Sequence, residues 1–229
     1  FLFFTNNKKN TFVMILSIVC FLLGFKRIGI AALAIVIIYL IFTVHLAVRT
    51  KKKIIKITGL LVVIVSVIFV AFSVSDELTD LLTSYGISMS GRNIIYDYFR
   101  KFCSFSPLFF GRGVGFVTKQ FDYTTVTDLY NMSSIKALHN DLMKMFIEIG
   151  FWGFILWSWY WLIVVPKRFL SYNIINSRAV LVCFALILYS FITYTTDNTQ
   201  GYFNFQLNLM MLLTGVIYNA KNGSISVKG

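Results

Sequence analysis

Residues 57–75 read ITGLLVVIVSVIFVAFSVS and contain no Asp, Glu, Lys or Arg. At a rise of about 1.5 Å per residue, a helix of this length spans a hydrocarbon core about 30 Å thick. Five further stretches also lack charged residues: 10–25, 28–48, 149–166, 179–196 and 198–220. They predict an all-α, polytopic membrane bundle of about six transmembrane helices, the first of which has marginal length.

The composition indicates the same class of protein. Hydrophobic residues make up 58% of the chain and charged residues only 13%, with a mean hydropathy of +0.77. These values lie outside the range of soluble globular proteins. The chain opens with Phe1 and a short apolar segment, residues 1–4, ahead of a polar run. We therefore expect a single membrane domain, 1–229, that forms the C-terminal part of a longer protein.

The charges are divided unequally between the two sides of the predicted membrane. Residues 76–148 hold eight of the nine acidic residues and seven of the 21 basic ones. The short connections 49–56 and 167–178 carry only positive charge, which places them in the cytoplasm. Alternation of the spans then makes 76–139 an extracytoplasmic loop between the third and fourth spans. The net charge of +12 thus reflects topology, and no nucleic acid is expected as a partner.

Two helices are predicted in the region of this loop. After Ser90, apolar residues recur at helical spacing, which puts Arg92 in the first turn of an amphipathic helix lying along the membrane surface. The glycines of segment 111–115 predict a turn in which the backbone closely approaches a neighbour or a ligand. The second helix is predicted to begin near Ala137 and to continue into the fourth span. His139 then lies at the outer end of a membrane helix.

A membrane can deliver a glycan linked to a lipid diphosphate to its outer face. Arginine is well suited to bind such an anionic donor. A guanidinium holds phosphate oxygens bidentately and stays charged at any relevant pH. Arg27, Arg92 and Arg112 lie at predicted helix ends or turns on the outer side, whereas Arg100 is expected to face water. Each of them singly is also consistent with a solvated surface. Arg27 is equally consistent with a cavity residue or with a snorkelling pair at a helix end.

His139 is the histidine on the predicted outer face, because His45 lies near the cytoplasmic end of the second span. An imidazole with an unperturbed pKa of about 6.5 can accept a hydroxyl proton near neutral pH. A locally hydrogen-bonded histidine at a helix start is the competing interpretation. The adjoining Asn140 and Asp141 favour a site, although Asp141 and His139 face different ways if both are helical.

Several sequence motifs for metal, nucleotide and nucleophile sites are absent. The loop has no Asp-x-Asp pair and no cluster of His or Cys, and the chain has neither a phosphate loop nor a nucleophile elbow. The three cysteines, Cys20, Cys103 and Cys183, form neither a disulfide framework nor a metal-ligand spacing. The sequence therefore predicts chemistry without a metal or a cofactor.

Four motifs, taken in order, resemble the family of O-antigen ligases and polysaccharide polymerases, whose polymerase members are called Wzy. Lys26-Arg27 opens a span, and Ser90-Gly-Arg92 precedes an aromatic helix. The third motif is SPLFFGRGVG at 106–115, and the fourth is LHND at 138–141 leading to EIGFWG at 148–153. The family often has Ser-Arg where this chain has Lys26-Arg27.

The resemblance implies metal-independent glycosyl transfer from an undecaprenyl-diphosphate-linked donor to a sugar hydroxyl. It implies that Arg27 and Arg92 hold the donor diphosphate and that His139 deprotonates the acceptor. His139 and Arg92 are then the expected catalytic residues, and Arg27, Arg112 and Asn140 the expected substrate-binding residues. The expected location is the bacterial cytoplasmic membrane, with the chemistry on its outer face. The expected partners are the lipid-linked glycan, membrane lipid and other polysaccharide export proteins.

Three functions are consistent with the sequence. The preferred one is polymerisation of repeat units into capsular polysaccharide, exopolysaccharide or O-antigen. A ligase of the same family transfers finished glycan to a lipid core or to a protein. A flippase or other transporter normally places its charged residues within helices near the membrane midplane. Here the charge is concentrated in one loop, which favours an enzyme.

Overall fold

The computed structural model describes residues 27–86, 92–122, 137–171 and 177–226, with a few isolated positions between 12 and 23. These described residues form helices and turns, and no strand occurs among them. The helices are α1 (Arg27–Val44), α2 (Val48–Val74), α3 (Glu77–Ser84), α4 (Arg92–Arg100), α5 (Phe116–Asp122), α6 (Asp141–Trp159), α7 (Val165–Ser171), α8 (Ser177–Thr193) and α9 (Phe203–Ser226). One π-helical turn, Tyr160–Val164, joins α6 to α7.

Three described segments are long and apolar enough to cross a membrane: α1, α2 and the continuous helix Asp141–Phe169. Ala179–Thr193, within α8, is a shorter apolar helix. The prediction of an all-α membrane protein is therefore confirmed for the described residues, as are three of the six predicted spans. The first and last predicted spans fall on residues that the structure describes only in part.

The core lies where α1, α2, α6 and α8 meet. α8 packs against α1, with the ring of Phe184 centred 5.9 Å from that of Tyr39, and α6 packs against α2. Phe146 and Phe154 of α6 are fully buried between them. On the other faces of the helices, large apolar side chains such as Phe42 are exposed. A helix that is apolar on all sides is typical of a membrane span.

One proline and one glycine explain how α2 approaches the end of α6. Pro166 has no backbone N–H, so the carbonyl of Leu162, four residues earlier, loses its usual helical donor. The chain forms its π-helical turn at this point. Gly59 of α2 faces the carbonyl so closely that a Cβ there would lie 2.4 Å from the Leu162 oxygen. A side chain at position 59 would therefore push the two helices apart.

Two boundaries differ from the sequence prediction. The basic run 49–56 belongs to α2, and the connection before it is only residues 45–47. Lys, Arg and Ile all extend a helix without a break, and Lys51 is even buried. The second predicted helix begins at Asp141 rather than near Ala137. Asn140 caps this helix, and His139 before it has a left-handed backbone with φ of 53°.

The apolar face of α4 is buried inside the protein, rather than resting on a membrane surface as predicted. The helix does begin at Arg92, although Ser90, its expected cap, lies outside the described residues. Residues from α4, α5, the start of α6 and the segment just before α6 form one cluster: Ile95, Tyr96, Phe99, Val117, Leu138, Met143 and Ile147. This packing fixes α4 against the N-terminal end of α6.

Candidate active site

The predicted site residues gather where α2 ends and α6 begins. The side-chain amide of Asn140 donates a 3.4 Å hydrogen bond to Ser73 Oγ, which joins these two helix ends. The backbone N–H of Leu142 donates to the carbonyl of Tyr194 at 3.3 Å. This contact brings the α8–α9 turn, residues 194–202, to the same place. We call this end of the bundle the loop end, because the described parts of segment 75–140 meet the α8–α9 turn there.

His139 is held twice by one residue of the α8–α9 turn. Its backbone N–H donates to Asn198 Oδ1 at 2.8 Å, and its ring Nδ1 lies 3.2 Å from Asn198 Nδ2. The carbonyl of His139 accepts a 3.5 Å hydrogen bond from the Tyr96 hydroxyl. A left-handed backbone is uncommon for a residue with a side chain, although histidine is among those that adopt it most often. Together these contacts fix the imidazole immediately before α6.

Asn140 is completely buried, and both of its hydrogen-bonding groups are used within the protein. Its Oδ1 accepts from the backbone N–H of Met143 at 2.9 Å, which is an N-cap contact for α6. Its Nδ2 donates to Ser73, as described above. The structure therefore places this predicted substrate-binding residue as a cap next to His139.

Arg92 also contacts the α8–α9 turn. As the first residue of α4, it donates from NH1 to the carbonyl of Thr196 at 3.3 Å. This contact uses one of the five N–H donors of a guanidinium. One helical turn further on, Tyr96 contacts His139; burial raises the pKa of the Tyr96 phenol, and the charge of Arg92 opposes the rise. The two predicted catalytic residues, Arg92 and His139, thus contact the same turn.

A cavity of about 440 Å³ opens beside His139. This volume lies within the range of roughly 300–1,000 Å³ that is usual for ligand sites. Its described lining combines two aromatic rings, Phe121 and Tyr202, with the ionisable side chains of Asp141 and Lys144. Asp141 Oδ2 accepts from the backbone N–H of Gln200 at 2.6 Å, so the α8–α9 turn also fixes this carboxylate. The cavity therefore offers a ligand both aromatic faces and ionisable groups.

The glycine turn, residues 111–115, contacts the EIGFWG motif, residues 148–153, although the two are separate in sequence. Gly111 and Gly150 both have positive φ, 90° and 76°. A Cβ at position 111 would lie 2.5 Å from the carbonyl oxygen of Glu148, and one at position 150 would lie 2.3 Å from the carbonyl carbon of Phe110. Only glycine fits both the backbone conformation and the space. The predicted close approach of the glycine turn to a neighbour is thus present, and the neighbour is α6.

Backbone hydrogen bonds join these two segments and bend α6 at Gly150. They are Arg112 N–H to Ile147 O (2.8 Å), Gly113 N–H to Glu148 O (2.9 Å) and Phe151 N–H to Phe109 O (2.8 Å). The buried Glu148 adds a side-chain contact, because its Oε1 accepts from the backbone N–H of Val117 at 3.2 Å. Glu148 thereby holds the start of α5, which forms one wall of the cavity.

The other two predicted arginines do not meet Arg92 and His139. Arg112 is exposed, and its Nε donates to the carbonyl of Phe102 at 2.7 Å. Arg27 starts α1 with an exposed side chain. Because a three-residue connection joins α1 to α2, this start lies at the loop end, where α2 finishes. Within the described parts of the chain, no hydrogen bond or ion pair joins Arg27 to another predicted site residue.

Arg100 does not face water as expected, since its side chain is only 11% exposed. Its Nε donates to the carbonyl of Ser73 and its NH2 to Thr79 Oγ1, both at 2.9 Å. Its NH1 forms ion pairs with Asp76 and Asp97. A cation is favourable at the C-terminal end of a helix such as α2. Arg100 therefore joins the end of α2 to α3 and α4.

The sequence does not indicate a role for Asn198, although this residue contacts His139 directly. The signal available was the polar run TTDNTQ at 195–200, which separates two apolar stretches on the predicted outer side. Within that run, Asp197 is the one acidic residue outside 76–148. Its Oδ1 accepts from the backbone N–H of Asn198 at 2.9 Å. Nothing in this run indicates a partner 59 positions earlier in the chain.

The O-antigen ligase family model matches residues 12–158, more than half of the chain. The matched segment contains Arg27, Arg92, Arg112 and His139 and ends before the α8–α9 turn. No curated protein and no solved structure matches the chain. The family match agrees with the membrane helices and implies glycosyl transfer with a lipid-linked glycan as substrate. The chain therefore belongs to the O-antigen ligase family.

Proposed function

We propose that this protein polymerises undecaprenyl-diphosphate-linked oligosaccharide repeat units into capsular polysaccharide, exopolysaccharide or O-antigen. The transfer needs no metal and takes place on the outer face of the bacterial cytoplasmic membrane, where loop 76–139 lies. The shared turn is the observation that carries the proposal. Arg92 contacts it at Thr196, and His139 contacts it at Asn198 beside the 440 Å³ cavity. The same part of the protein thus holds the Arg92 guanidinium, which can stabilise a leaving diphosphate, and the His139 imidazole, which can exchange a proton with an acceptor hydroxyl.

Arg92 binds the diphosphate of the donor in this proposal. Negative charge builds on the diphosphate as the glycosidic bond breaks, and a fixed guanidinium lowers that barrier. Four of its N–H donors are not used by the contact to Thr196, and a guanidinium can offer two at once to phosphate oxygens. Arg27 and Arg112, exposed at the loop end, attract the anionic donor and contribute to its binding.

His139 and the cavity serve the acceptor sugar. Phe121 and Tyr202 provide aromatic faces for a sugar ring, and Lys144 can donate to its hydroxyls. Asn140 contributes by capping α6 next to His139, and so fixes the position of the histidine. Direct attack of the acceptor on the donor inverts the configuration at the anomeric carbon. The linkage formed therefore has the anomer opposite to that of the donor.

A transfer assay with purified components tests the proposal. Purified full-length protein in detergent receives one lipid-linked repeat unit, and gel electrophoresis sizes the glycan. We expect a ladder of longer glycans from wild-type protein and none from Arg92→Ala or His139→Ala. Lys101→Ala, at an exposed position of the same loop, serves as the matched control and keeps the ladder. Movement of the glycan across vesicles without elongation would indicate a transporter and contradict the proposal.

The ligase is the second candidate, because the family that the chain belongs to carries that name. Deletion of the gene distinguishes it from the polymerase. Surface glycan reduced to single repeat units supports the polymerase. Long chains that accumulate on the carrier lipid support the ligase, since its substrate is the finished glycan.

A further inference from the structure

Segment 108–114, which contains most of the glycine turn, exposes three large apolar side chains. Leu108, Phe110 and Val114 are 81%, 77% and 84% exposed. Each is more exposed than Phe42, at 74%, on the outer face of the membrane span α1. Apolar residues scattered singly over a surface are normal, whereas several together mark a contact with a protein or a membrane.

Contacts with α6 hold this segment in place. The backbone N–H groups of Arg112 and Gly113 donate to carbonyls of α6, and the carbonyl of Phe109 accepts from a backbone N–H of α6. The peptide that follows Phe110 packs directly on Gly150. Because the backbone is fixed on both sides of Phe110, the exposed side chains stay on the surface instead of folding inward as those of a flexible loop can.

The depth of the segment in the membrane follows from its contact with Gly150. At a rise of about 1.5 Å per residue, the uncharged stretch 149–166 extends about 27 Å, close to the roughly 30 Å of a hydrocarbon core. Gly150 is its second residue and so lies near the boundary of that core at the loop end. Trp152, 53% exposed on the same helix, is a residue type typical of this interface. Segment 108–114 therefore lies where lipid headgroups meet acyl chains.

The charge of this part of the chain also suits a lipid surface. Residues 102–118 contain no Asp or Glu, and Arg112 is their one charged residue. The Nε of Arg112 donates to the carbonyl of Phe102, a contact that uses one of the five N–H donors of the guanidinium. The side chain is exposed, and a guanidinium at the level of the headgroups can hold phosphate oxygens bidentately.

We propose that segment 108–114 inserts into the lipid leaflet at the loop end. Leu108, Phe110 and Val114 enter the boundary between headgroups and acyl chains, and Arg112 binds a phospholipid phosphate when no lipid-linked donor is present. Only side chains insert, because a non-helical backbone exposed to the hydrocarbon core would leave its polar groups unsatisfied. This membrane contact does not depend on the reaction proposed above.

The insertion has two consequences for the structure. The contact with the membrane surface that the sequence predicts for α4 belongs instead to segment 108–114, since the apolar face of α4 is buried inside the protein. The segment also leads directly into α5, which contributes Val117 and Phe121 to the cavity beside His139. Insertion therefore fixes one wall of the cavity at the membrane surface.

Nitroxide spin labels measure the depth of the segment. The three native cysteines of the full-length protein are replaced by alanine, and one cysteine is introduced as Leu108→Cys, Phe110→Cys or Val114→Cys. Each labelled protein is placed in phosphatidylcholine nanodiscs. Collisions with oxygen, which concentrates in the bilayer, are compared with collisions with a nickel chelate, which stays in water. We expect all three labels to collide mainly with oxygen, at a depth of about 5–10 Å below the headgroup boundary.

The matched control is Lys101→Cys, at an exposed position of the same loop, whose label we expect to collide mainly with the nickel chelate. The same result at positions 108, 110 and 114 would place the segment in water and overturn the proposal. Labels at these positions that collide with neither reagent would show that protein covers the segment, either a second copy of this chain or another protein. That outcome also overturns the proposal.

Solid-state nuclear magnetic resonance measures the Arg112 contact in protein that keeps its native cysteines. Arginine is labelled with ¹⁵N, and phosphatidylcholine is the only source of phosphorus in the sample. We expect coupling of the lipid ³¹P to the guanidinium signal that is lost in Arg112→Gln. The buried guanidinium of Arg100, which pairs with Asp76 and Asp97, is the internal control and shows none. Coupling at Arg112 that appears only after undecaprenyl diphosphate is added overturns the assignment of a phospholipid phosphate.

Discussion

At the residue scale, Arg100 shows how one buried side chain can hold several elements together. Replacing it with alanine leaves the Ser73 carbonyl and the Thr79 hydroxyl without this donor. Its two carboxylate partners are more than half exposed, so the ion pairs themselves add little. We expect Arg100→Ala to lower the free energy of unfolding by about 1–3 kcal/mol, mainly through the lost hydrogen bonds.

The melting temperature of purified full-length protein measures this effect. Lys101→Ala is the matched control, because the neighbouring lysine is exposed and we expect its loss to change stability by less than about 0.5 kcal/mol. Equal melting temperatures for Arg100→Ala and wild type would show that the contacts at the end of α2 do not stabilise the protein.

At the element scale, the contact between the glycine turn, residues 111–115, and the bend of α6 positions α5 against α6. Gly111→Ala and Gly150→Ala each bring a Cβ within 2.5 Å of another segment's backbone at a positive φ. We expect each to destabilise the protein by more than about 3 kcal/mol, because two backbones would have to separate. Gly113→Ala also has a positive φ, 96°, but no atom within 4 Å of the added carbon. We expect it to cost only about 1 kcal/mol, from backbone strain.

Thermal unfolding of these three variants separates steric contact from backbone strain. We expect the Gly113 variant to melt well above the other two. Similar melting temperatures for all three would mean that positive φ alone, and not the close approach of α6, determines the need for glycine here.

The elements also show what the sequence could and could not predict. Uncharged stretches predicted α1, α2 and the long helix that begins at Asp141, because a membrane span is recognised from its length and apolar composition. The boundary before Asp141 was missed, since it depends on the Asn140 cap and on the backbone of His139. Local sequence patterns also could not predict that Gly111 packs against Gly150. Each glycine indicates an unusual backbone conformation, but neither indicates which segment it packs against.

At the scale of the whole molecule, the candidate site is built from segments far apart in the chain. Local sequence placed Arg92 at a helix start and His139 near one, and the structure agrees with both positions. What holds them together is the α8–α9 turn, which lies after the segment matched by the family model. Contacts across such a separation depend on tertiary packing, so Asn198 could be found only from the folded chain.

The most direct test of the central claim is the release of undecaprenyl diphosphate by purified full-length protein given a lipid-linked repeat unit. If Arg92 and His139 serve glycosyl transfer, each new glycosidic bond releases one carrier diphosphate. The account predicts that release matches glycan growth in the wild type and in Lys101→Ala. It also predicts that release falls by at least about a hundredfold in Arg92→Ala, from loss of charge stabilisation at the leaving group. Release at equal rates in wild type and Arg92→Ala would contradict it.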